Sequence, residues 1–172
     1  MHTAIQRQTD RRKVYRYIYD HPQPVTAWEL GEELSLEAPV VSSSLAGLLE
    51  EGMVTRLEDE TYVLDPLARV AAGLCMLDDR VQLLAIDLRG EELGSRELSM
   101  PFSHTPAYYE TTAQCLEEFL DDCGLDRERL LGVGIAMPAI MDQAEGRLVI
   151  SPTLELQDIP LEEIYCHFSR YP

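Results

Sequence analysis

The sequence predicts an α+β chain in two parts: a winged helix-turn-helix over residues 1–66 and an α/β segment over residues 67–172. Residues 26–52 have the spacing of two short helices that meet at a tight turn, and two short apolar runs follow them. Beyond residue 66 the apolar pattern changes from helical to strand-like. A chain of 172 residues, 45% apolar and 26% charged, has the size and composition of a soluble protein with two small domains.

The boundaries of the predicted helix-turn-helix follow from local signals. The hydroxyl of Thr26 can cap the first helix while Glu29 reaches back to the Thr26 amide, which together make a capping box. Residues 35–37 form the turn, and Pro39 falls in the first turn of the second helix, where its missing N–H costs nothing. Gly52 is expected to end that helix in a left-handed conformation. The positions expected to face inward are Leu30, Leu34, Val41, Leu45, Leu48 and Leu49.

The elements on either side complete a winged helix. Asp10 is expected to cap a preceding helix that runs to about Asp20, and the two prolines of residues 21–24 end it. Residues 53–57 and 61–64 are short apolar-rich runs around a polar turn, and they predict a two-stranded wing. This arrangement predicts double-stranded DNA as the partner, with the second helix of the motif in the major groove.

The charge distribution indicates where such a surface would lie. A net charge of −17 argues against bulk affinity for nucleic acid, because DNA binding depends on cations that neutralise phosphates. Residues 1–24, however, carry five basic side chains against two acidic ones, a net +3, whereas residues 25–172 carry nine against 29, a net −20. We expect phosphate contacts from Arg7, Arg11, Arg12, Lys13, Arg16 and the wing's Arg56, and groove-facing positions at Ala38, Val40, Ser42, Ser43 and Gly47. None of the groove-facing residues is basic, so the helix is expected to read DNA shape more than base identity.

The second part reads as a meander followed by a crossover. Runs at residues 70–77, 81–88 and 91–100, separated by turns, predict three antiparallel strands. A helix over residues 111–123, ended by Gly124, leads to the apolar run of residues 130–137, which is expected to be a central parallel strand buried on both faces. A loop then begins at Pro138, residues 147–150 form a short strand, and residues 160–168 form a short helix.

Several classes of protein are not expected. No apolar run approaches the roughly 20 residues that span a bilayer, and residues 1–13 lack the hydrophobic core of a signal peptide, so we expect a cytoplasmic protein with no membrane partner. The four cysteines show no CxxC spacing and the four histidines lie far apart in sequence. We therefore expect no disulfide framework, no metal site and no cofactor.

Two stretches of the second part resemble the ROK family of sugar kinases and transcriptional repressors. Residues 73–93, GLCMLDDRVQLLAIDLRGEEL, are similar to the opening hairpin of the family, and residues 132–161, GVGIAMPAIMDQAEGRLVISPTLELQDIPL, to its strand, proline-glycine loop and following segment. ROK repressors also carry a winged helix directly before this domain. The resemblance implies a partial actin-like, ribonuclease-H-like α/β domain, a homodimeric repressor of carbohydrate metabolism, and a sugar effector near Pro138, Ala139 and Asp142. Asp142 has the alternative role of a turn residue.

One departure from the family bears on activity. Family kinases have an Asp-x-Gly-Gly-Thr loop after the first strand, whereas residues 75–79 here, CMLDD, contain no glycine and carry two aspartates that would repel a polyphosphate. We expect no phosphoryl transfer and no catalytic residues. By the same resemblance, the catalytic base, the sugar-binding histidine motif, the zinc motif and the second ATP-binding lobe would lie beyond residue 172. Two alternatives stay open: a truncated sugar kinase, and an interaction module that does not bind DNA and whose acidic second part binds a basic partner.

Overall fold

The structure is a computed structural model that describes residues 4–171. Its contacts divide the chain into two compact units, residues 1–68 and 69–172. Helices dominate the first unit and sheets the second, so the predicted α+β class is confirmed. None of the helices in the described range is long and apolar enough to cross a membrane.

The first unit is a cluster of three helices with a short antiparallel sheet. Val25 forms an isolated antiparallel bridge with Tyr62, which adds a third short segment to that sheet. The elements are α1 (Ala4–Asp20), α2 (Ala27–Leu34), α3 (Ala38–Glu50), β1 (Val54–Arg56) and β2 (Tyr62–Leu64). Their buried side chains form the core: Val14, Ile18, Val25, Leu30, Val41, Leu45, Leu48, Val54 and Leu64.

The local signals around the helix-turn-helix act as predicted. The Thr26 hydroxyl accepts a hydrogen bond from the Glu29 amide at 3.1 Å, and the Glu29 carboxylate accepts one from the Thr26 amide at 2.7 Å. Ser35 makes the turn with a left-handed backbone, φ 52°. Pro39 lies in the first turn of α3, and Gly52 follows that helix with φ 65°. The predicted winged helix-turn-helix is therefore confirmed.

Two expectations for the helices were wrong. Asp10 does not cap α1, which already runs from Ala4; it lies within the helix with its side chain 1% exposed, and Gln6 Nε2 donates to it at 3.1 Å. It shares the buried face with residues 14 and 18, each four positions further along. Leu49 is 36% exposed, and Ser44 is buried instead. The inward stripe of α3 follows positions 41, 44, 45 and 48, and residue 49 lies one step of rotation beyond it.

The second unit begins with a four-stranded sheet in the order β5-β4-β3-β6. The first three strands form the predicted antiparallel meander, and β6 pairs with β3 in parallel. The elements are β3 (Val70–Met76), β4 (Arg80–Asp87), β5 (Glu92–Ser99), the crossover helix α4 (Pro106–Asp122) and β6 (Leu130–Ala136). Alternate residues of β3 and β4 are buried, and they form one core with the apolar side of α4.

The crossover differs from the prediction at both ends. Helix α4 begins at Pro106, with Thr105 as its cap, because a proline is well suited to the first helical turn. Strand β6 lies at an edge of the sheet and is not central: within the described residues it pairs with β3 alone, and Leu131 is 59% exposed. A continuous apolar run predicts a strand but does not tell how many neighbours that strand has.

A second, three-stranded antiparallel sheet follows, in the order β7-β8-β9. The strands are β7 (Ile140–Asp142), β8 (Arg147–Ser151) and β9 (Leu156–Pro160), and the short helix α5 (Glu162–Tyr165) continues into a 3-10 turn at Cys166–Phe168. Only β8 and the helical end were predicted. Strand β7 has three residues, and Asp158 within β9 has a positive φ of 55°, so neither strand has the regular alternation that identifies a strand in sequence.

Candidate nucleic-acid interface

The outer face of α3 carries small, uncharged side chains. Ala38, Ser42 and Ser43 are exposed and Val40 is half-exposed. The Ser43 hydroxyl donates to the Val40 carbonyl at 3.0 Å, and its oxygen can still accept a hydrogen bond. The face therefore offers small hydroxyl groups and one branched methyl side chain to any surface that approaches it.

Helix α1 brings two guanidinium groups to this face. Arg7 and Arg11 lie four positions apart on α1 and line the same shallow concavity as Gln8, Ser43 and Ser44. Ser44 is buried at the contact between the helices, where a larger side chain would hold α1 and α3 further apart. The concavity thus combines two cations with hydroxyl and amide groups, which is the chemistry that binds a phosphate.

Arg11 is not free within this concavity. Its Nη1 atom lies 2.7 Å from Oε1 of Glu51, beyond the end of α3. To reach it, the side chain passes over Gly47, where a Cβ atom would lie 3.0 Å from Nη1. Gly47 is therefore covered by Arg11, and the expectation that it faces the groove as an open position was wrong.

The other basic residues of α1 lie on a different side of the helix. Lys13 and Arg16 line a second concavity together with His21 and Leu34. Each has an acidic partner on the same helix: Lys13 Nζ lies 3.8 Å from Asp10, and Arg16 Nε lies 2.8 Å from Asp20. Arg12 lies between the two flanks of the helix and borders both. The basic surface that the sequence predicted as one patch is thus divided in two.

The wing is acidic. Arg56 pairs with Glu60 at 2.8 Å, and Glu58 and Asp59 complete the tip. Hydrogen bonds from the Thr61 hydroxyl and amide hold the pKa of the Asp59 carboxyl below its usual value, so Asp59 is charged at neutral pH. The tip therefore repels phosphate, and Arg56 is already balanced by its neighbour.

The first unit as a whole is acidic, and its few cations are concentrated on α1. Residues 1–68 carry six basic and twelve acidic side chains, a net charge of −6. Five of the six cations are on α1; Arg7 and Arg11 border the concavity that Ser43 and Ser44 of α3 line, and Arg12 borders one with Leu48 of α3. Attraction to an anion is therefore local to α1 and its contact with α3.

The predicted ligand-binding residues of the second unit are engaged in local structure. The Pro138 carbonyl accepts a hydrogen bond from the buried Ser151 hydroxyl at 2.6 Å. Ala139 packs against the small apolar cluster beneath the second sheet. The Asp142 carboxylate accepts from the Ala144 and Glu145 amides at 3.0 and 3.1 Å, which is the geometry of a turn residue.

The loop at residues 75–79, which was compared above with the phosphate loop of the family kinases, is held by local contacts. Asp79 pairs with Arg80 at 2.9 Å, and the carbonyls of Asp78 and Asp79 accept from the Phe102 and Met100 amides. Among residues 4–171, no group of three or more histidine, cysteine, aspartate or glutamate side chains is arranged to hold a metal ion.

Two members of the interface were not predicted from the sequence. Gln8 lies before the helix start that the sequence indicated, so its helical position beside Arg7 was missed. Glu51 lies 40 positions from Arg11, and a pairing at that separation leaves no local signal. The helical periodicity of residues 4–20, with buried positions at 10, 14 and 18, is the signal that could have extended α1 to Gln8.

Comparison with known proteins supports one relationship. No family model matches the sequence. A protein from Caldicellulosiruptor sp. (strain Rt8B.4), named "Putative xylose repressor", is 21% identical over 171 residues, which cover 94% of this chain and 43% of that protein. A solved structure described as a ROK family transcriptional regulator, homolog of the E. coli MLC protein, matches with a TM-score of 0.64 and 16% identity over 95% of this chain and 44% of that chain. The chain therefore spans less than half the length of either protein. The two matches together confirm the resemblance to ROK repressors, and the second confirms the fold.

Proposed function

We propose that this chain is a DNA-binding transcriptional repressor of carbohydrate metabolism, similar to ROK regulators and active in the cytoplasm. The observation that carries the proposal is the juxtaposition of the Arg7 and Arg11 side chains with the open, uncharged face of α3. A helix can enter the major groove closely when its outer face carries small side chains, and cations at its flank bind the adjacent phosphates.

Five of the predicted residues act directly on the DNA in this mechanism. Ser42 and Ser43 hydrogen-bond base edges or phosphates, and Val40 contacts a thymine methyl group. Arg7 and Arg12 neutralise phosphates. No side chain on the face supplies the bidentate contacts that discriminate most strongly between bases, so specificity comes largely from the shape and deformability of the operator. The acidic wing is repelled by the phosphates and does not contact the DNA backbone.

The second unit would act through association. A homodimer formed by the second unit sets two α3 helices about one helical turn of DNA apart, so that each reads one half-site. A sugar effector near Pro138, Ala139 and Asp142 would shift DNA affinity only through unequal affinity for the DNA-bound and free arrangements of the dimer. The chain itself would regulate and would not transfer phosphate, since the aspartates of residues 75–79 disfavour a polyphosphate.

The test is DNA binding as a function of salt. Genomic fragments are selected with the wild-type chain, and the affinity for the best fragment is measured by fluorescence anisotropy from 50 to 300 mM salt. The informative variant is Arg7→Ala/Arg12→Ala, because among residues 4–171 neither side chain has an ion-pair partner that its loss would disturb. We expect affinity to fall at least tenfold and the slope of log K against log salt to become shallower by roughly 1.8, or 0.9 per phosphate contact.

The matched control removes two arginines from the second unit. Arg129→Ala/Arg170→Ala changes the net charge equally, at side chains that are 43% and 55% exposed. Equal losses in both double variants would mean that bulk charge explains the binding. No binding by the wild type even at 50 mM salt would contradict the proposal.

One observation favours a second candidate function. The wing tip is acidic and the first unit carries a net −6, which suits a module that binds a basic protein. In that case affinity for a basic partner would not fall in the Arg7→Ala/Arg12→Ala variant, whereas DNA binding would be absent throughout.

A further inference from the structure

Arg11 occupies a seat on α3 that two residues one helical turn apart create. Gly47 leaves room for the arginine to cross the helix, and Glu51 binds its guanidinium at 2.7 Å. We call Gly47 and Glu51 the Arg11 seat. A side chain at residue 47 would lie 3.0 Å from Nη1 and 3.4 Å from Cδ of Arg11, so only glycine allows this path without displacement.

Glu51 of the seat and a DNA phosphate would both bind the guanidinium of Arg11. A carboxylate and a phosphate are both oxyanions, and both bind the N–H fork of a guanidinium. Arg11 borders the concavity that Arg7 and Ser43 line, where the proposed function needs phosphate contacts. While Glu51 holds the guanidinium, its carboxylate offsets part of the positive charge that Arg11 presents to that concavity.

We propose that Glu51 is an intramolecular competitor for the DNA phosphate and thereby limits the affinity of this surface for DNA. The inference rests on the proposed function. Both side chains of the pair are partly exposed, 38% for Arg11 and 44% for Glu51, so the ion pair is weak enough to exchange. Glu51 therefore sets the strength of DNA binding without abolishing it.

The first test is Glu51→Gln, measured on the same operator fragment over the same range of salt. Release of Arg11 adds one phosphate contact, so we expect binding about three- to tenfold tighter near 100 mM salt and a slope steeper by roughly 0.9. The matched control is Glu50→Gln, which removes the same charge from the adjacent exposed residue of α3; among the described residues, Glu50 has no ion pair. Glu50→Gln measures the general effect of losing one negative charge. Its gain in DNA affinity should be smaller than that of Glu51→Gln.

A second variant empties the seat without a change of charge. Gly47→Ala places a methyl group where the Arg11 side chain passes, and the neighbour that must move is the end of a flexible side chain. We expect it to tighten DNA binding in the same direction as Glu51→Gln. Both gains should disappear when either variant is combined with Arg11→Ala, because no guanidinium is then left to release. Circular dichroism and urea unfolding check that each variant is folded.

The outcomes separate the inference from the proposed function. Wild-type binding with no greater gain for Glu51→Gln than for Glu50→Gln would overturn the inference alone, and so would a gain that persists with Arg11→Ala. Weaker binding in both Glu51→Gln and Gly47→Ala would mean that the seat positions Arg11 for DNA, which also overturns it. No binding by the wild type or any variant would overturn the proposed function and the inference with it.

Discussion

At the scale of single residues, the neighbours of each arginine decide what that arginine can do. Arg7 and Arg12 have no ion-pair partner among residues 4–171, whereas Arg11 and Arg16 bind carboxylates at 2.7 and 2.8 Å. All four are arginines and lie on one helix. The contribution of each to DNA affinity is therefore expected to differ, which is why Arg7 and Arg12 are changed in the test of function and Arg11 in the test of the seat.

Tyr109 leads to a prediction about pH. Its side chain is buried, its hydroxyl lies 2.8 Å from Nδ1 of His104, and its ring stacks on His167. Burial, with smaller contributions from Tyr108 and Glu163, raises the pKa of Tyr109 from 10.0 to about 12. The folded state thus holds the phenol proton more tightly than the unfolded state, so this contribution to stability is complete below pH 10 and is lost as the pH rises toward 12.

We expect Tyr109→Phe to reduce the loss of stability of the second unit between pH 10 and 12, because phenylalanine has no proton to release. Urea unfolding followed by circular dichroism at pH 8, 10 and 11.5 measures this. The control is Tyr165→Phe, since Tyr165 is exposed on α5. Identical pH profiles for the two variants would contradict the prediction.

At the scale of elements, the caps of α2 hold the helix-turn-helix in place. The Thr26 hydroxyl and the Glu29 carboxylate satisfy amides that the first turn of the helix leaves without partners. Hydrogen bonds from the Thr26 amide and hydroxyl lower the pKa of Glu29, so its contribution is present above its ordinary pKa and is lost as the pH falls through the lowered value.

We expect Thr26→Ala to lower the free energy of unfolding of the first unit by about 1 kcal/mol at pH 7. Urea unfolding followed by circular dichroism gives the value, with Thr55→Ala as the control, because Thr55 is exposed on β1 and should cost less than about 0.5 kcal/mol. The difference between Thr26→Ala and wild type should narrow in acid as Glu29 becomes protonated. A loss in Thr26→Ala no larger than in the control would show that the cap is not needed.

The two edges of the four-stranded sheet differ in a way that bears on assembly. Strand β5 carries Glu92, Arg96 and Glu97, and charges of this kind discourage pairing with another chain. Strand β6, LLGVGIA, carries none, and its Leu131 is exposed. The edge formed by β6 is therefore the one suited to pairing.

At the scale of the whole molecule, we expect the second unit to associate with itself. An uncharged edge strand that carries the exposed Leu131 favours contact between copies. Light scattering at high protein concentration should show species larger than the monomer. Gly134→Lys, at an exposed position on β6, should reduce them, whereas Val149→Lys, on β8 of the other sheet, should not. A strictly monomeric wild type would count against the prediction.

Charge at this scale makes the proposed regulator sensitive to salt. The first unit carries a net −6 and residues 69–172 a net −11, so the chain as a whole repels DNA and only the local cations of α1 attract it. Salt screens both the overall repulsion and the local attraction. Because the attraction acts at contact distance and releases counterions, we expect DNA binding to weaken as salt increases.

The sequence by itself determined the features that depend on residues three or four positions apart. The capping box at Thr26 and Glu29, the turn at Ser35, the helix start at Pro39 and the left-handed Gly52 were all predicted, because each is a hydrogen bond or a backbone preference within one helical turn. The meander of β3, β4 and β5 also followed from the sequence, because consecutive strands joined by short turns usually pair with each other.

Only the tertiary structure decided which distant residues meet. It placed β6 at the edge of its sheet, brought Glu51 to Arg11 across Gly47, and divided the basic residues of α1 between two flanks. These outcomes depend on how α1 packs on α3 and on which strands pair, and both are set by the sum of many contacts between residues far apart in sequence. A local pattern reports what a segment prefers, whereas the partner of each side chain is decided by the packing of the whole unit.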